Sequence, residues 1–512
     1  MERSSGVLMP ITSLPNDLGI GSFGQEAYDF IDFLVRTKQT YWQVLPLTTT
    51  SYGDSPYQSF SAYAGNTHLI DLHTLVDQGL LTKDSLSQSD FGADLTMIDY
   101  GKIFTARRPL LEQAVQTFIE KGGLETERFM TFYARNEDWL VPFAEYMTVK
   151  EGFDNKAWHE WDDDYKHYDA KRVHTYCEKE RLRYHYHLVT QYFFDEQWQA
   201  LKDYANQKCI QIIGDIPIYV AQDSVEMWMF PELFKVDHTG TPTMVAGTPP
   251  DGFSDTGQYW GNPVYDWEKM ANHHFDWWVK RIAHNFYLYD MLRIDHFKGF
   301  ESYWEIPFGS PDPSYGHWSK GPGKALFKAI KDELGELNII AEDLGFMNDD
   351  VVALREYTGF PGMKILSFGF NGECDSLDLP HHYPKNSVAY VGTHDNETAR
   401  GWYEDTATQV QRDQMSHYLS RQYGEPAAYA LDRGIAATVS DLAVYTMQNL
   451  LNLNNSARLN EPGTIGGNWQ WRMTEDQYSE TLEEHLLDLT ETYFRTNPKL
   501  KEADAATAGT VK

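Results

Sequence analysis

Eight short apolar runs of strand character, most of them followed by helical material, predict an α/β chain of the (β/α)8 TIM-barrel type with long inserted helical and loop subdomains. Two further observations point the same way. Four of the runs end in a carboxylate, the position where barrel strands open onto their C-terminal rim. None is followed by the G-x-G-x-x-G or G-x-x-x-x-G-K-[ST] turn that would favour a doubly wound nucleotide-binding sheet.

The first strand is read over Gly6–Leu14 (GVLMPITSL). The segment Gln25–Lys38 then places Ala27, Phe30, Ile31 and Leu34 on one face of a helix. Tyr41–Thr48 is the second strand. A largely helical insertion spans 49–208, with helix composition over Phe104–Lys121, Arg128–Glu151 and Lys171–Lys208. Between the last two lies AWHEWDDDYKHYD, whose composition predicts a solvated loop rather than a metal cluster. Cys209–Ile218 is the third strand, and an active-site loop insertion follows over 222–267. A helix over Phe275–Asp290 leads to the fourth strand, Met291–Asp295. Leu337–Glu342, Gly362–Phe368, Ser387–Thr393 and Leu442–Met447 complete the set. The reading is one catalytic barrel over 1–500, with a disordered tail over 500–512. No short-period repeat interrupts it.

Composition narrows the partners. The formal net charge is −32, with 75 acidic against 43 basic residues. That disfavours nucleic acid and anionic membrane, which need clustered cations. The apolar fraction of 42% is enough for a large core. Cys177, Cys209 and Cys374 stand far apart, which fits a reducing compartment. The N-terminal stretch has no long apolar core of a signal peptide, and no run is long enough to span a bilayer, so a cytoplasmic protein is expected. Aromatic residues make up 14%, many of them in Gly/Pro-rich loops. Flat faces with a polar handle suit pyranose rings, although core packing uses the same residues.

The polar residues that end the strands carry the chemistry. They are Asp215 after IIG, Asp295 after MLRI, Glu342 after NIIA, and His394-Asp395 after YVGT. Any one of them would serve as a helix N-cap. Four together on one rim match what glycoside chemistry needs: a carboxylate nucleophile, a carboxylic acid about 5–5.5 Å away for a retaining reaction, and further groups for the sugar hydroxyls. Crowded like charges raise the pKa of one member and keep it protonated. Arg293 alternates onto the same side of its strand as Asp295 and would keep it ionised.

At these residues the chain resembles a known family. LRIDHFKG (292–299), IIAEDLG (339–345) and GTHDNET (392–398) are similar to the signature segments of amylomaltases, the disproportionating 4-α-glucanotransferases related to the α-amylase superfamily. GDIPIYVA (214–221), SPYQ (55–58), GTPPDGFSDTGQYWGNPVY (247–265) and RLNEPGTIGGNWQWR (458–472) extend the resemblance over about residues 6–495, in the same order. It implies Asp295 as nucleophile, Glu342 as general acid/base and Asp395 as the residue that favours the distorted ring. It implies that His296 and His394 donate to sugar hydroxyls. The substrate-binding set is then Ser55, Tyr57, Asp215, Asp251, Phe253, Gln258, Trp260, Arg293, His296 and His394. One departure is Asn371 in SFGFN, where the family's pattern often carries Asp.

The implied activity is transfer of α-1,4-glucan segments among maltooligosaccharides and glucose through a glycosyl-aspartate. No nucleotide or flavin motif appears, and neither a histidine pair at i, i+4 nor H-E-x-x-H accompanies the rim histidines, so no cofactor and no catalytic metal are expected. Three alternatives differ in class. An α-glucan hydrolase would use the same carboxylates. A glucan-binding protein would lack Asp295 or Glu342. A metal-dependent hydrolase would fail with a chelator. The loop over 247–265, aromatic and rich in Gly and Pro, favours transfer if it closes over the intermediate and excludes water.

Overall fold

The structure is a computed structural model and describes residues 1–250, 257–345, 348–372, 375–464 and 466–500. Its centre is a closed barrel of parallel strands in chain order. The strands are β1 (Ser4–Leu8), β2 (Tyr41–Gln43), β3 (Gln211–Ile216), β4 (Met291–Ile294), β5 (Ile339–Ala341), β6 (Gly362–Ile365), β7 (Ser387–Tyr390) and β8 (Leu442–Thr446). β8 pairs back onto β1, Ser4 opposite Leu442. The (β/α)8 expectation therefore holds.

Alternation along the strands sorts two cores. Leu8, Ile213, Met291, Ile340, Met363, Ile365, Val388, Tyr390, Leu442 and Val444 form one cluster inside the barrel. Their sequence neighbours Val7, Ile212, Leu292, Ile339, Ala389 and Ala443 belong to the larger cluster under the surrounding helices. The period of two then carries upward: Asp215 shares the inner face with Ile213, Arg293 and Asp295 with Met291, and Glu342 with Ile340. Apolar side chains fill the barrel and polar ones emerge at its top.

The strands are shorter than the apolar runs. β1 stops at Leu8 because Pro10 has no N–H for the ladder and leads into a 3-10 turn, Ile11–Ser13. β3 begins at Gln211 because Cys209 sits at φ 63°, and it ends before Pro217. Helix α1 (Gln25–Arg36) buries Ala27, Phe30, Ile31 and Leu34 as its pattern predicts, with Phe33 in addition.

Between β2 and β3 the chain forms helices α2 (Tyr100–Glu120), α3 (Glu127–Gly152), α4 (Ala170–Lys179) and α5 (Arg181–Gln207). Composition predicts one helix where α4 and α5 stand. Glu180, at φ −97° and ψ 36°, breaks it without any local Gly or Pro. The AWHEWDDDYKHYD segment is also more ordered than its polarity suggests. Trp158 and Trp161 are buried, while His159, Glu160, Asp162–Asp164, His167 and Asp169 face solvent. Trp158 donates through its backbone N–H to Asp223 and through its indole to the Gln222 carbonyl, 3.1 and 2.8 Å, which pins this segment to the loop after β3.

An antiparallel sheet stands beside the barrel, in the order Gln258–Pro263, Met244–Thr248, Ser302–Pro307, His317–Lys320. The sequence leads to a loop over 222–267 and to no strand at Ser302–Pro307 or His317–Lys320, because the strands are short, three of them carry Gly or Pro, and the central pairing joins Met244–Thr248 to the distant Ser302–Pro307. The expected disordered tail lies outside the described residues beyond position 500. No helix among the described residues is long and apolar enough to cross a membrane.

Candidate active site

The register of neighbouring strands assembles the rim. Asp215 stands opposite Arg293 across β3 and β4, and Ile294 stands opposite Ala341 across β4 and β5. Past the strand ends the ladder continues: Asp295 N donates to the Ile216 carbonyl, Glu342 N to that of Ile294, and Phe297 N to that of Glu342, each at 3.0 Å. Asp295 and Glu342 are thus the next register pair, on inner-face positions of strands about 4.8 Å apart.

Arg293 is buried between two carboxylates. One guanidinium nitrogen reaches both oxygens of Asp215 at 2.9 and 2.7 Å, and the other lies 3.0 Å from Asp295 Oδ1. Burial alone would lower the pKa of Arg293; the charges of Asp215 and Asp295 override it and hold the guanidinium firmly protonated. Asp215 is 1% exposed, and Tyr57 Oη donates to its Oδ2 at 2.8 Å. Asp295 keeps a side chain 30% exposed at the cleft.

Glu342 accepts from the backbone N–H of His296 at 2.7 Å and from that of Leu344 at 2.8 Å. Burial and then the neighbouring Asp295 charge nevertheless push its carboxyl up to about 7, against Arg293 and those two donors. The next residue, Asp343, takes the opposite face, where it accepts from Met363 N at 2.7 Å and pairs with Arg355 at 3.3 Å. One step of strand alternation separates a cleft carboxylate from a structural one.

His296 follows Asp295 at φ 52°, a left-handed turn that brings its N–H onto Glu342. Its ring meets Trp260 edge to face, centroids 4.9 Å apart, and burial pushes its pKa down to about 4, so the imidazole is neutral near pH 7. The Trp260 indole donates to Gln258 Oε1 at 3.1 Å. Ser55 Oγ accepts from Tyr57 N at 3.2 Å and shapes the turn that presents Tyr57. Tyr57 stacks on His394, centroids 5.1 Å apart at 15°. His394 Nε2 lies 3.4 Å from Asp395 Oδ2, and His394 Nδ1 is buried with no hydrogen-bond partner among the described residues. Asp251 and Phe253 lie outside the described residues.

Three residues are not singled out by the sequence. Asn460 donates to Asp395 Oδ1 at 2.6 Å, and Arg458 donates to the Asp395 carbonyl at 3.0 Å. Trp469, at φ 63°, places its ring 5.8 Å from Tyr57 and 5.9 Å from His394, completing a triad of flat faces. The run RLNEPGTIGGNWQWR points to this segment as a whole; nothing in the spacing singles out these three residues. His296, His394 and Asp395 do not form a three-ligand metal cluster. Among the described residues such a group occurs only at Asp375, His381 and His382, on the loop after β6.

Comparison with known proteins agrees with this geometry. A family model described as 4-alpha-glucanotransferase matches residues 9–478. The chain is 57% identical over 500 residues to a 4-alpha-glucanotransferase of Streptococcus pneumoniae, covering 98% of this chain and 99% of that one. It is 42% identical over 488 residues to the Thermus thermophilus 4-alpha-glucanotransferase, covering 94% and 96%. Among solved structures, the amylomaltase from Streptococcus agalactiae in complex with acarbose superposes with a TM-score of 0.93 at 49% identity, covering 97% of this chain and all (100%) of that one.

Proposed function

The chain belongs to the 4-alpha-glucanotransferase family and is a transferase of α-1,4-glucans, and we propose that it works with retention through a covalent ester on Asp295. The observation that carries this reading is the register pair of Asp295, held by Arg293 at 3.0 Å, and Glu342, pushed up to about 7. One carboxylate is paired with a cation and the other is poised to keep its proton, the division of labour a retaining reaction needs.

Asp295 attacks the anomeric carbon while Glu342 gives its proton to the departing glycosidic oxygen. The glucan beyond the cleaved bond leaves with a free 4-hydroxyl. The resulting Glu342 carboxylate then takes the proton of an incoming sugar 4-hydroxyl, that oxygen attacks the anomeric carbon, and Asp295 is released. Two inversions give net retention. Asp395, oriented by Asn460, holds sugar hydroxyls and favours the distorted ring. Neutral His296 and buried His394 donate to hydroxyls, and Ser55, Tyr57, Gln258, Trp260, Asp251 and Phe253 complete the sugar contacts. Asp215 acts through Arg293 and Tyr57 as a positioning residue, because its oxygens are already engaged.

In this reading residues 1–500 form one catalytic unit, with 49–208 as a largely helical insertion and 222–267 as an active-site loop insertion. The ligands are maltooligosaccharides, glucose and longer α-1,4-glucans. The net charge of −32 argues against nucleic acid, and the sparse thiols, Cys177 and Cys209 both unpaired, support a cytoplasmic setting. The test is a product ladder from maltotriose alone with a chelator present. Glucose together with a rising series of longer maltooligosaccharides is expected. Glucose and maltose with nothing longer would mean that water captures the intermediate and that the protein is a hydrolase under these conditions.

A further inference from the structure

The loop that follows β6 gathers metal-ligating side chains that the transfer reaction does not use. Pro380 opens a 3-10 turn, Pro380–His382, and both histidines of that turn face one carboxylate. Asp375 Oδ1 lies 3.3 Å from His381 Nε2 and 2.5 Å from His382 Nε2. The two imidazoles are 4.2 Å apart between centroids, and one ligating atom from each of the three residues falls within 4.8 Å of the others.

We propose that Asp375, His381 and His382 form a binding site for a divalent first-row transition cation of the zinc class, distinct from the sugar cleft. Tetrahedral zinc with bonds near 2.0–2.1 Å places its ligand atoms roughly 3.3 Å apart. The Asp375–His381 pair already has that separation, and the His382 pair reaches it by opening less than about 1 Å. Two imidazole nitrogens with one carboxylate favour zinc, nickel or cobalt over calcium and magnesium, which need more oxygen ligands.

An outer partner is also in place. His381 Nδ1 lies 2.8 Å from Tyr418 Oη, at the end of the helix Gln409–Tyr418, and the same oxygen accepts from His381 N at 3.3 Å. That contact occupies Nδ1 and leaves Nε2 as the ligating nitrogen, the arrangement in which a metal-bound imidazole is oriented by a second hydrogen bond. The loop itself is braced, since Tyr383 Oη donates to the Asp378 carbonyl at 2.8 Å. Asp375 and His381 are exposed, so water fills the remaining coordination positions and binding is reversible. The ion would fasten this loop to the helix that carries Tyr418.

The experiment is calorimetric titration of the chelator-stripped full chain with zinc chloride near neutral pH, repeated on H382A, D375N and Y418F. Cobalt absorption in the visible range reports the local ligand set. The wild type is expected to take up zinc saturably, one ion per chain. H382A and D375N lose the saturable phase and the cobalt bands, and Y418F weakens binding by roughly tenfold. Maltotriose transfer by all three variants stays at the wild-type rate, which separates this site from the catalytic reading. No saturable uptake by the wild type, or equal uptake by H382A and D375N, overturns the proposal.

Discussion

Two buried arginines mark the two ends of the barrel, and they are balanced in opposite ways. At the C-terminal rim Arg293 lies between Asp215 and Asp295, and these charges raise its pKa. At the base Arg495 has no carboxylate in its hydrogen-bond set. It donates to the backbone carbonyls of Ser4, Ser440, Ala436 and Thr438 at 2.8–3.1 Å, and burial pushes its pKa down to about 10. Asn497 helps it close the base by bonding the Gln39 and Cys209 carbonyls at 2.9 and 2.8 Å. A buried cation satisfied by peptide dipoles ties chain ends together. A buried cation satisfied by carboxylates leaves one of them, Asp295, charged at the edge of a cleft.

The sharpest way to break this contrast is Asp295→Asn. It should lower turnover by roughly 10⁴-fold or more, since an amide cannot form the proposed ester, and leave the melting temperature close to wild type. Near-normal turnover would mean that the rim chemistry is misassigned.

Glu342→Gln should cost roughly 10²–10⁴-fold on maltotriose and recover in part on substrates whose leaving group needs no proton. Its stability signature has a definite sign. The folded pKa of about 7 exceeds the unfolded value, so the folded state holds the extra proton between about pH 4.5 and 7. Ionising Glu342 therefore destabilises the fold as pH rises through that window. Glu342→Gln should raise the melting temperature at pH near 8 and leave it unchanged near pH 4. An unchanged difference across the window would show that Glu342 titrates normally.

At the base, Arg495→Met should cost about 3 kcal/mol of stability by leaving several buried carbonyls without a donor, with turnover per folded molecule intact. Denaturant unfolding alongside a rate normalised to active sites separates the two effects. A loss of turnover larger than the loss of folded protein would join the two ends that this comparison keeps apart.

The same protonation governs rate. Turnover should fall as pH rises through about 7, because the proposed general acid Glu342 has to arrive protonated, and this limb should vanish in the residual activity of Glu342→Gln. The smallest expected effect is Trp469→Ala, which removes one flat face beside Tyr57 and His394. On the order of 1 kcal/mol, or about fivefold in kcat/KM, is expected, measured across acceptors of increasing length.

Much of this molecule is legible from the chain alone. The strand-type runs, their order and the inner-face position of Asp295 and Glu342 all follow from alternation, because a period of two fixes which side chains share a face once the barrel is inferred. The amphipathic face of α1 follows from its period in the same way. These are local signals, and a barrel whose neighbours are consecutive in sequence converts local signals into global order.

What the chain does not disclose depends on partners distant in sequence. The sheet beside the barrel pairs Met244–Thr248 with Ser302–Pro307, and neither stretch reads as a strand by itself. Trp158 and Trp161 sit in a polar segment and are buried only because α3 and the loop after β3 receive them. Asn460 and Trp469 reach Asp395 and Tyr57 from the last loop, and no spacing rule links residues so far apart. Asp215 and Asp295 look alike in sequence, each a carboxylate after an apolar run. The sequence decided that both stand on the inner face of neighbouring strands; tertiary structure decided their fates. Arg293 takes both oxygens of one and a single oxygen of the other, and Tyr57 covers the first. Charge pairing acts through space, and the folded barrel alone determines which carboxylate it leaves facing the cleft.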